Sequence, residues 1–429
     1  MDRGRVYYGW VLVGTLAFTE MTSWGVLYYA FSVFLVPMQE ELGWSRAALT
    51  GAFSLALLVS GVAGVPVGRW LDRYGPRGLM TVGSLAATGL VLAWSAVKNL
   101  TAFYLIWAGI GITMATVLYE PAFVVVATWF ARQRGRALTV LTFVAGFASV
   151  VYIPVSGWLI QTQGWRGALV ILATVLALAT APLHALVLRR RPEDLGLSVD
   201  GPDPGPASAL TPAAPGPGRS VSLAVALRGA AFWWLTAAFV ANTLGAVALN
   251  VHLVPYLTDH GYRPGFAATA AGLVGVTALP GRLIFTPLGD RLPRGLVTAF
   301  LFLLQALSLL VLLLVPNKVG VLGFVALFGA GFGAITPARA ALVAEFYGPA
   351  AYGSISGMLG VFLNGARALA PVGAAWGHDI GGGYEPALWT LAAVSAAGAV
   401  AVVLAEASAR RLAPAAENPP DRHDTATVV

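Results

Sequence analysis

The sequence has no cysteine and little charge. Among its 429 residues there is no Cys, which excludes disulfides, thiolate metal sites and cysteine nucleophiles. Charged residues make up only 10% of the chain and hydrophobic residues 58%, whereas a soluble globular chain carries about 25% charged residues. A surface with so few charges cannot face water over its whole area. The composition therefore predicts a membrane protein.

Patterns typical of enzymes, metal sites and membrane barrels are also missing. The 5 histidines have no metal-ligand spacing, and neither a nucleophile elbow nor a zinc-protease helix occurs. No stretch alternates in the way that barrel strands do. Glycine clusters such as Gly329 to Gly333 lie inside apolar runs with no strand before them, which favours helix packing over a nucleotide loop. We therefore expect no enzymatic activity, no cofactor and no metal.

The chain is rich in long apolar runs, each near the ~20 residues that cross a bilayer as a helix. Many of its 50 Gly and 26 Pro residues fall inside these runs, as membrane helices tolerate. The predicted fold is an all-α membrane protein with twelve transmembrane helices. The first run is too long for a signal-peptide core and has no obvious cleavage site, so we expect it to be retained. The predicted spans are residues 8–37, 46–68, 78–97, 100–130, 136–160, 167–188, 229–257, 265–289, 295–315, 319–344, 351–377 and 386–406.

Basic residues are unevenly divided between the two predicted faces of the membrane. Most of the 26 Lys and Arg residues fall in the N-terminus, in alternate loops and in the tail. The positive-inside rule then places both termini in the cytoplasm, in a multi-pass protein of the cytoplasmic (inner) membrane. The net charge of +7 is a topology signal in this interpretation, and no nucleic-acid partner is expected. The basic residues on the opposite side are Arg46, Lys98, Arg166, Arg263 and Lys318.

Two halves of the chain repeat each other at an offset of about 218 residues. "GRWLDRYGPR" (Gly68 to Arg77) aligns with "TPLGDRLPR" (Thr286 to Arg294), and "EPAFVVVATWF" (Glu120 to Phe130) aligns with "TPARAALVAEF" (Thr336 to Phe346). Duplicated halves in one orientation are a transporter architecture, with the site between them at the midplane. A run rich in Pro, Gly and Ser joins the halves as a flexible linker. The predicted domains are an N-terminal six-helix bundle (1–188), a cytoplasmic linker (189–222), a C-terminal six-helix bundle (223–406) and a disordered cytoplasmic tail (407–429).

The loop after the second span carries a family pattern. "GRWLDRYGPR" matches Gly-x-x-x-Asp-Arg-x-Gly-x-Arg completely, and through it the chain resembles the major facilitator superfamily over all the predicted spans. The resemblance implies a gate in which Asp72 accepts hydrogen bonds from a neighbouring helix N-terminus and from arginines, holding the halves together on the cytoplasmic side. The alternative is that Arg73 and Arg77 only enforce topology. The expected gate residues are Gly68, Asp72, Arg73, Gly75 and Arg77, with Asp290 and Arg291 in a degraded second copy that has Thr286 in place of glycine.

Within the superfamily, "YYGWVLV", "WFARQRGRAL", "GWRGAL" and "RRRPEDLGL" resemble the monocarboxylate and oxalate/formate porters. In the monocarboxylate porters an arginine in segment eight anchors the substrate carboxylate, and Arg282 matches that position. Mammalian members place an aspartate one turn earlier, where this chain has Ala278. The proton-coupling role that the family gives to this aspartate is therefore absent here or has moved to another residue. The oxalate/formate porters use a basic residue in segment eleven, where this chain has Arg367.

Five ionisable residues lie inside predicted spans, where a charge at the bilayer centre costs ~2.5–3.5 kcal/mol on insertion scales. They should therefore face the protein interior or a water-filled cavity. Arg282, next to Pro280 and Gly281, presents a planar fork of donors that suits a carboxylate. The alternative is a structural ion pair with an acid of another span. The five residues are Glu20, Glu120, Arg282, Arg339 and Arg367.

Neutral and aromatic residues complete the expected substrate site. Tyr119 resembles the family's substrate-contacting tyrosine, and Asn364 lies one turn before Arg367. Tyr28 shares a helix face with Glu20, where it would form an aromatic wall or pack against a neighbouring helix. The expected substrate-binding residues are Arg282, Tyr119, Arg367, Tyr28, Asn364 and Asn242.

Glu120 and Glu20 are the expected proton-coupling residues, because a carboxyl group desolvated in a cavity can exchange a proton near neutral pH. The alternative is that Glu120 is the permanent counter-ion of an arginine. Arg339 lies one turn from the repeat equivalent of Glu120, in the opposite half. We expect it to close a gate by a salt bridge to Glu120, or else to reach the cytoplasmic surface.

Together these patterns predict a secondary-active transporter that moves a small organic anion, a monocarboxylate, by alternating access with proton coupling. One alternative is a proton-driven exporter of drugs or metabolites, in which the buried arginines form structural pairs. Another is a transport-inactive membrane receptor or sensor, against which the absence of a soluble domain argues. The expected partners are the anionic solute, a proton and the lipid bilayer, and the expected oligomeric state is a monomer.

Overall fold

The computed structural model describes residues 7–201, 221–381 and 384–411, and the regular structure in these ranges is helical throughout, as predicted. The part of the predicted linker from 202 to 220 and the predicted tail from 412 onwards lie outside the described residues. The helices of the first half are α1 (Tyr8–Trp24), α2 (Phe31–Leu42), α3 (Arg46–Tyr74), α4 (Pro76–Ser95), α5 (Leu100–Val117), α6 (Tyr119–Trp129), α7 (Arg134–Ala145) and α8 (Ala148–Val187). Those of the second half are α9 (Leu223–Arg228), α10 (Ala230–Asp259), α11 (Pro264–Leu288), α12 (Arg294–Leu314), α13 (Lys318–Tyr347), α14 (Tyr352–Gly381) and α15 (Glu385–Arg411).

Within the described residues, 10 helical stretches are long and apolar enough to cross a membrane. One of them, Arg134–Val187, is 54 residues long and contains both α7 and α8. Gly164 interrupts α8 between predicted spans five and six, with φ 69° and ψ 164°, a conformation that glycine adopts without steric cost. Helix α14, which has 30 residues, is not among the ten. The helical membrane character is confirmed, and the count of twelve spans stays a prediction.

Two spans are irregular next to predicted site residues. A π-helical turn, Gly25–Tyr29, separates α1 from α2 and contains two tyrosines. Such turns are frequent at functional sites. Leu118 is extended between α5 and α6, with φ −94° and ψ −167°, because the ring of Pro121 would clash with the carbonyl of residue 117 in a continuous helix. The break places Tyr119 and Glu120 in the first turn of α6.

Buried side chains form three clusters, which show where the two halves meet. One cluster, around Trp94, takes its members from the first half alone. A second, around Phe324, takes them from the second half alone. The third joins both halves, with Phe123 and Leu342 among its members, and lies at the end of the molecule that carries the Gly68–Arg77 loop. The halves therefore pack together at the loop end and keep separate cores at the opposite end.

The first part of the predicted linker is folded onto the first half, which differs from the flexible segment expected. Pro192–Leu195 form a 3₁₀ turn, and the side chain of Asp194 accepts from the backbone N–H of Arg191. Asp200 is buried, with its backbone N–H donating to the carbonyl of Trp129 at 3.2 Å. The composition of this stretch suggested flexibility because Pro and Gly weaken helices, but turns built from these residues can still dock through their backbone groups. At the other end of the chain, α15 continues past the predicted boundary at 406.

Helices α3 and α14, from opposite halves, approach closely through glycines. A Cβ at Gly357 would collide with the backbone of Gly64, and a Cβ at Gly68 would collide with the backbone of Gly353. Small residues at a helix contact allow two backbones to approach each other in this way. This close contact between the halves thus depends on the absence of side chains.

Replacement of Gly357 by Ala is expected to destabilise the molecule. The added Cβ must push α14 away from α3, and overpacking of this kind costs about 1–3 kcal/mol. Gly360→Ala is the matched control, since a Cβ there meets nothing within 4 Å on the same helix, and the change from Gly to Ala improves helix propensity by about 1 kcal/mol. Thermal unfolding in detergent compares the two variants. A Gly357→Ala variant as stable as Gly360→Ala would contradict the close packing described.

Candidate functional site

Arg282 bridges the two halves through backbone carbonyls. It lies in α11, and its Nε donates to the carbonyl of Gly333 in α13 at 3.0 Å, while Nη1 donates to the carbonyl of Thr142 in α7. The close approach of Nη1 leaves no room for a Cβ at Gly146. Within the described residues Arg282 forms no ion pair with a carboxylate, so the structural pair considered from the sequence is not present. Two of its five N–H donors bond to backbone carbonyls, and the phenol of Tyr119 also interacts with the guanidinium.

Arg367 is also without an acidic partner among the described side chains. It lies in α14, where its Nη1 donates to Oδ1 of Asn364 at 2.8 Å, one turn earlier. Asn364 in turn packs against Gly61 of α3, where a Cβ would meet its side chain. The guanidinium interacts electrostatically with the phenols of Tyr28 and Tyr29. The predicted pairing of Arg367 with Asn364 is present. Because the amide is neutral, this pairing does not compensate the positive charge of the arginine.

Glu120 and Arg339 form a salt bridge between the halves. Nη2 of Arg339 lies 2.6 Å from Oε1 of Glu120, and the hydroxyl of Ser356 donates to the other carboxylate oxygen. Only 9% of the arginine side chain and 29% of the glutamate side chain are exposed. Arg339 therefore does not reach the surface. The contact expected from the sequence is present, and its opening and closing during transport stays a prediction.

Glu20 is a buried carboxyl group without an ion-pair partner among the described residues. The residue is 0% exposed, and its carboxyl oxygens interact with the indole of Trp24 without reaching full hydrogen-bond geometry. Trp24, one turn later, packs against Tyr28 and Tyr119 with ring centroids 5.2 and 5.0 Å apart, and Tyr119 stacks on Phe123 at 5.1 Å. The face predicted from the spacing is therefore an aromatic surface that extends from α1 to α6.

Asn242 lies in a different environment from the two unpaired arginines. Its amide nitrogen donates to the side-chain oxygen of Gln305 in α12, and the residue is 5% exposed. A buried amide pair of this kind satisfies polar groups between two membrane helices. The geometry favours a packing role for Asn242 over the substrate contact expected from the sequence.

The signature loop binds the N-terminus of a helix from the other half. The carboxylate of Asp72, at the end of α3, accepts from the backbone N–H of Gly353 at 2.8 Å and from the N–H and hydroxyl of Ser354 at 2.9 and 2.6 Å. These groups form the first turn of α14, where unpaired N–H donors and the helix dipole favour an anion. The expected contact with a helix N-terminus is thus present. Hydrogen bonds from arginines to Asp72 were also expected, but no described arginine bonds to this carboxylate.

The degraded second copy makes the equivalent contact in the reverse direction. Asp290, just after α11, accepts from the backbone N–H groups of Gly135 at 3.0 Å and Arg136 at 3.2 Å, in the first turn of α7. Arg294 adds a salt bridge at 3.1 Å. Each half therefore supplies one carboxylate that holds the first turn of a helix in the other half.

The other expected gate residues, apart from Gly68, make their described contacts within their own half. Gly75 has φ 82° between α3 and α4, and a Cβ there would meet the side chain of Arg190. The guanidinium of Arg73 lies 5.2 Å from the ring centroid of Tyr74, and Nε of Arg77 donates to the carbonyl of residue 185 at 2.6 Å within the same half. Arg291 is exposed.

Two charged residues of this end of the molecule were not singled out from the sequence. Arg134 is 8% exposed, and its Nε and Nη2 donate to the carbonyls of Phe130 and Ala127 at 3.1 and 3.3 Å. Asp200 is buried against the loop that precedes α7. Both lie outside the predicted spans, and nothing in their spacing marks burial. For Arg134 the signal was that "WFARQRGRAL" contains three arginines around the start of a predicted span.

The fold, with two repeated halves joined at one end and charged side chains buried between them, defines a helical membrane transporter. A family model described as Major Facilitator Superfamily matches residues 13–371. The chain therefore belongs to the Major Facilitator Superfamily, whose members carry small molecules across membranes.

Named relatives support this assignment. The chain is 31% identical to monocarboxylate transporter 13 of Bos taurus over 83% of this chain and 82% of that protein. It is 26% identical to the uncharacterized transporter YcxA of Bacillus subtilis over 77% of this chain and 78% of that protein. The solved transporter FucP, in the outward conformation, superimposes with a TM-score of 0.72 at 16% identity, covering 93% of this chain and 99% of that one. The last similarity shows the fold alone.

Asp72→Asn is expected to loosen the contact between the halves, because charge-assisted hydrogen bonds are worth about 1.5–3 kcal/mol each. A single cysteine in place of Val343, which is buried in the shared cluster one turn beyond Arg339, can report this opening without background, since the chain has no cysteine of its own. We expect maleimide labelling of this cysteine to accelerate about tenfold, as a loss of 1.4 kcal/mol implies. Arg73→Gln is the neighbouring control, and an equal acceleration there would contradict the role of the Asp72 contact.

Proposed function

We propose that this transporter moves a small organic anion, specifically a monocarboxylate, by alternating access, together with a proton. The proposal depends above all on two guanidinium groups, Arg282 and Arg367, that lie inside the helical core without a carboxylate partner among the described residues. A charge at the centre of a bilayer costs ~2.5–3.5 kcal/mol on insertion scales. An anion bound between the halves would offset that cost.

The chemistry of the surrounding side chains favours a carboxylate with an apolar body. A guanidinium presents parallel N–H donors that match the two oxygens of a carboxylate. The rings of Trp24, Tyr28 and Tyr119 pack together in the first half, and Tyr29 and Tyr119 interact electrostatically with Arg282. The names of the relatives, monocarboxylate transporters 13 and 11 among them, agree with this substrate class.

The exporter interpretation requires that the buried arginines be neutralised by acids of the protein. Arg339 meets that requirement through Glu120. Arg282 and Arg367 bond instead to backbone carbonyls and to an amide, which are neutral acceptors. The anion carrier is therefore the better-supported function.

Glu20 is the better candidate for the proton site. A buried carboxylate without a partner is far less stable than the neutral acid, so the environment of Glu20 supports a bound proton in this conformation. Glu120 is already engaged by a salt bridge and a hydroxyl donor. The two acids interact electrostatically, so a change in the salt bridge of Glu120 would alter the proton affinity of Glu20.

Alternating access requires that the loop end open while the opposite end closes. The bonds that must then break are those of Asp72 to α14, of Asp290 to α7 and of Glu120 to Arg339, because each joins one half to the other. Arg282 also bridges the halves, through Thr142 and Gly333. An anion that competes for the guanidinium of Arg282 would weaken that bridge, which links substrate binding to opening.

Arg282→Lys is expected to reduce carboxylate counterflow in proteoliposomes at least about tenfold, since an ammonium group cannot make the bidentate contact and each charged hydrogen bond is worth about 1.5–3 kcal/mol. Arg263→Lys, at the exposed N-terminus of the same helix, is the control. The assay uses a panel of short, branched and aromatic monocarboxylates, and thermal unfolding verifies that both variants fold. Wild-type counterflow of every anion by folded Arg282→Lys protein would remove the anchor.

Glu20→Gln is expected to abolish the dependence of uptake on a pH gradient while anion exchange continues, because the amide mimics the protonated acid and cannot release a proton. Glu120→Gln should instead lower exchange as well, since it leaves Arg339 buried without its partner. Uptake with and without an imposed pH gradient, compared with counterflow, separates the two effects. Unchanged proton-driven accumulation by Glu20→Gln would exclude this residue as the coupling site.

A further inference from the structure

Asp200, in the segment that follows α8, binds the loop between α6 and α7. Its carboxylate accepts from the backbone N–H groups of Arg132 at 2.8 Å and of Ala131 and Gln133 at 3.2 Å. Only 3% of its side chain is exposed. Asp200 has φ 63°, the left-handed region that non-glycine residues seldom adopt. Such a conformation persists where surrounding contacts hold it, and here four backbone hydrogen bonds to residues 129–133 do so.

Tyr7 fastens the same segment from the other side. Its hydroxyl lies 3.1 Å from the carbonyl oxygens of both Trp129 and Ser198. The ring of Tyr7 packs edge-on against that of Phe130, with centroids 5.7 Å apart. A Cβ at Gly201 would lie 3.1 Å from the Tyr7 ring. Burial raises the pKa of Tyr7 to about 12, so the phenol keeps its proton at neutral pH.

The loop held by Asp200 leads directly into the turn held by Asp290. The backbone N–H groups of residues 131–133 donate to Asp200, and those of Gly135 and Arg136 donate to Asp290 of the other half. Between the two sets lies the buried Arg134, whose guanidinium donates to the carbonyls of Phe130 and Ala127 and interacts electrostatically with Asp200. Two carboxylates thus bind neighbouring sets of backbone N–H donors, one just before α7 and the other in its first turn.

The other described end of the linker is attached in the same manner to the second half. The N–H of Val221 donates to the carbonyl of Tyr347 at 3.0 Å, and the N–H of Asp200 donates to that of Trp129 at 3.2 Å. Trp129 ends α6 and Tyr347 ends α13, the two helices that carry the aligned segments of the internal repeat. The linker is therefore bonded at both ends next to the elements of the gate.

We infer that Asp200 is a positioning residue for the gate: it holds the loop before α7 so that the N–H groups of Gly135 and Arg136 point at Asp290. Without this carboxylate, three N–H donors lose their acceptor, and the loop must shift to satisfy them. The first turn of α7 then loses its alignment with Asp290, and the closed state at this end weakens. The inference rests on the proposed alternating-access cycle and not on the identity of the anion.

Asp200→Asn tests the inference in the Val343→Cys background, without substrate. The amide keeps the size of the side chain, but it loses the charge and one acceptor oxygen. We expect cysteine labelling to accelerate about tenfold, while the KM for a carboxylate in counterflow stays unchanged and the maximal rate shifts. Asp194→Asn is the control, because its carboxylate lies in the same linker segment and, among the described residues, accepts from Arg191 alone. Equal labelling of Asp200→Asn and Asp194→Asn would overturn the inference.

A double variant separates positioning from general stability. If Asp200 acts through the N-terminus of α7, then Asp200→Asn combined with Asp290→Asn should label no faster than Asp290→Asn alone. Additive accelerations would mean that Asp200 only stabilises the fold, and the inference would fail. If Asp200→Asn does not fold, Tyr7→Phe provides the same test, because it removes the hydroxyl that holds Ser198 to Trp129. It should accelerate labelling less than tenfold, and no acceleration would count against the inference. If Asp200→Asn accelerates labelling but the protein shows no counterflow of any carboxylate, the proposed substrate class is wrong and the positioning role stands.

Discussion

The structure depends on a carboxylate that binds the exposed N–H groups at the start of a helix in the opposite half of the chain. Asp72 holds the first turn of α14, and Asp290 holds the first turn of α7. A helix N-terminus offers unpaired donors and a positive dipole end, so a single carboxylate can join two rigid bundles without a matching basic side chain. Such a contact is directional, which suits the opening of this end in the proposed transport cycle.

Buried charge is distributed unevenly around this closed end. Glu120 forms a salt bridge with Arg339, while Arg282 and Arg367 donate to neutral acceptors. Glu20 has no basic partner among the described residues. The interior therefore holds more positive charge than its own acids compensate, and this imbalance is the physical basis of the proposed anion transport. The bridge from Arg282 to carbonyls of both halves places the proposed anchor within reach of the gate's own helices.

Much of the fold could be predicted from composition and repetition alone, and the site could be predicted in part. The contact of Asp72 with a helix N-terminus was implied by the resemblance of the signature loop. The contact of Glu120 with Arg339 was expected from the repeat, because Arg339 lies in the opposite half, one turn from the position equivalent to Glu120. Asn242 was expected near the substrate but pairs with Gln305, since sequence shows a polar residue and not the direction it faces. Asp200 was not recognised, because a short run rich in Pro and Gly looks the same whether it is docked or free.

The sequence by itself determined that this is a helical membrane protein of two repeated halves, because hydrophobic length, charge asymmetry and the signature loop are one-dimensional properties. Only the tertiary structure decided which charges are neutralised and which are not, because ion pairing depends on distances of a few ångströms between helices remote in the chain. The docking of the linker also required the folded state, since its strength comes from backbone N–H groups that every sequence possesses and that only a particular loop geometry directs at one carboxylate.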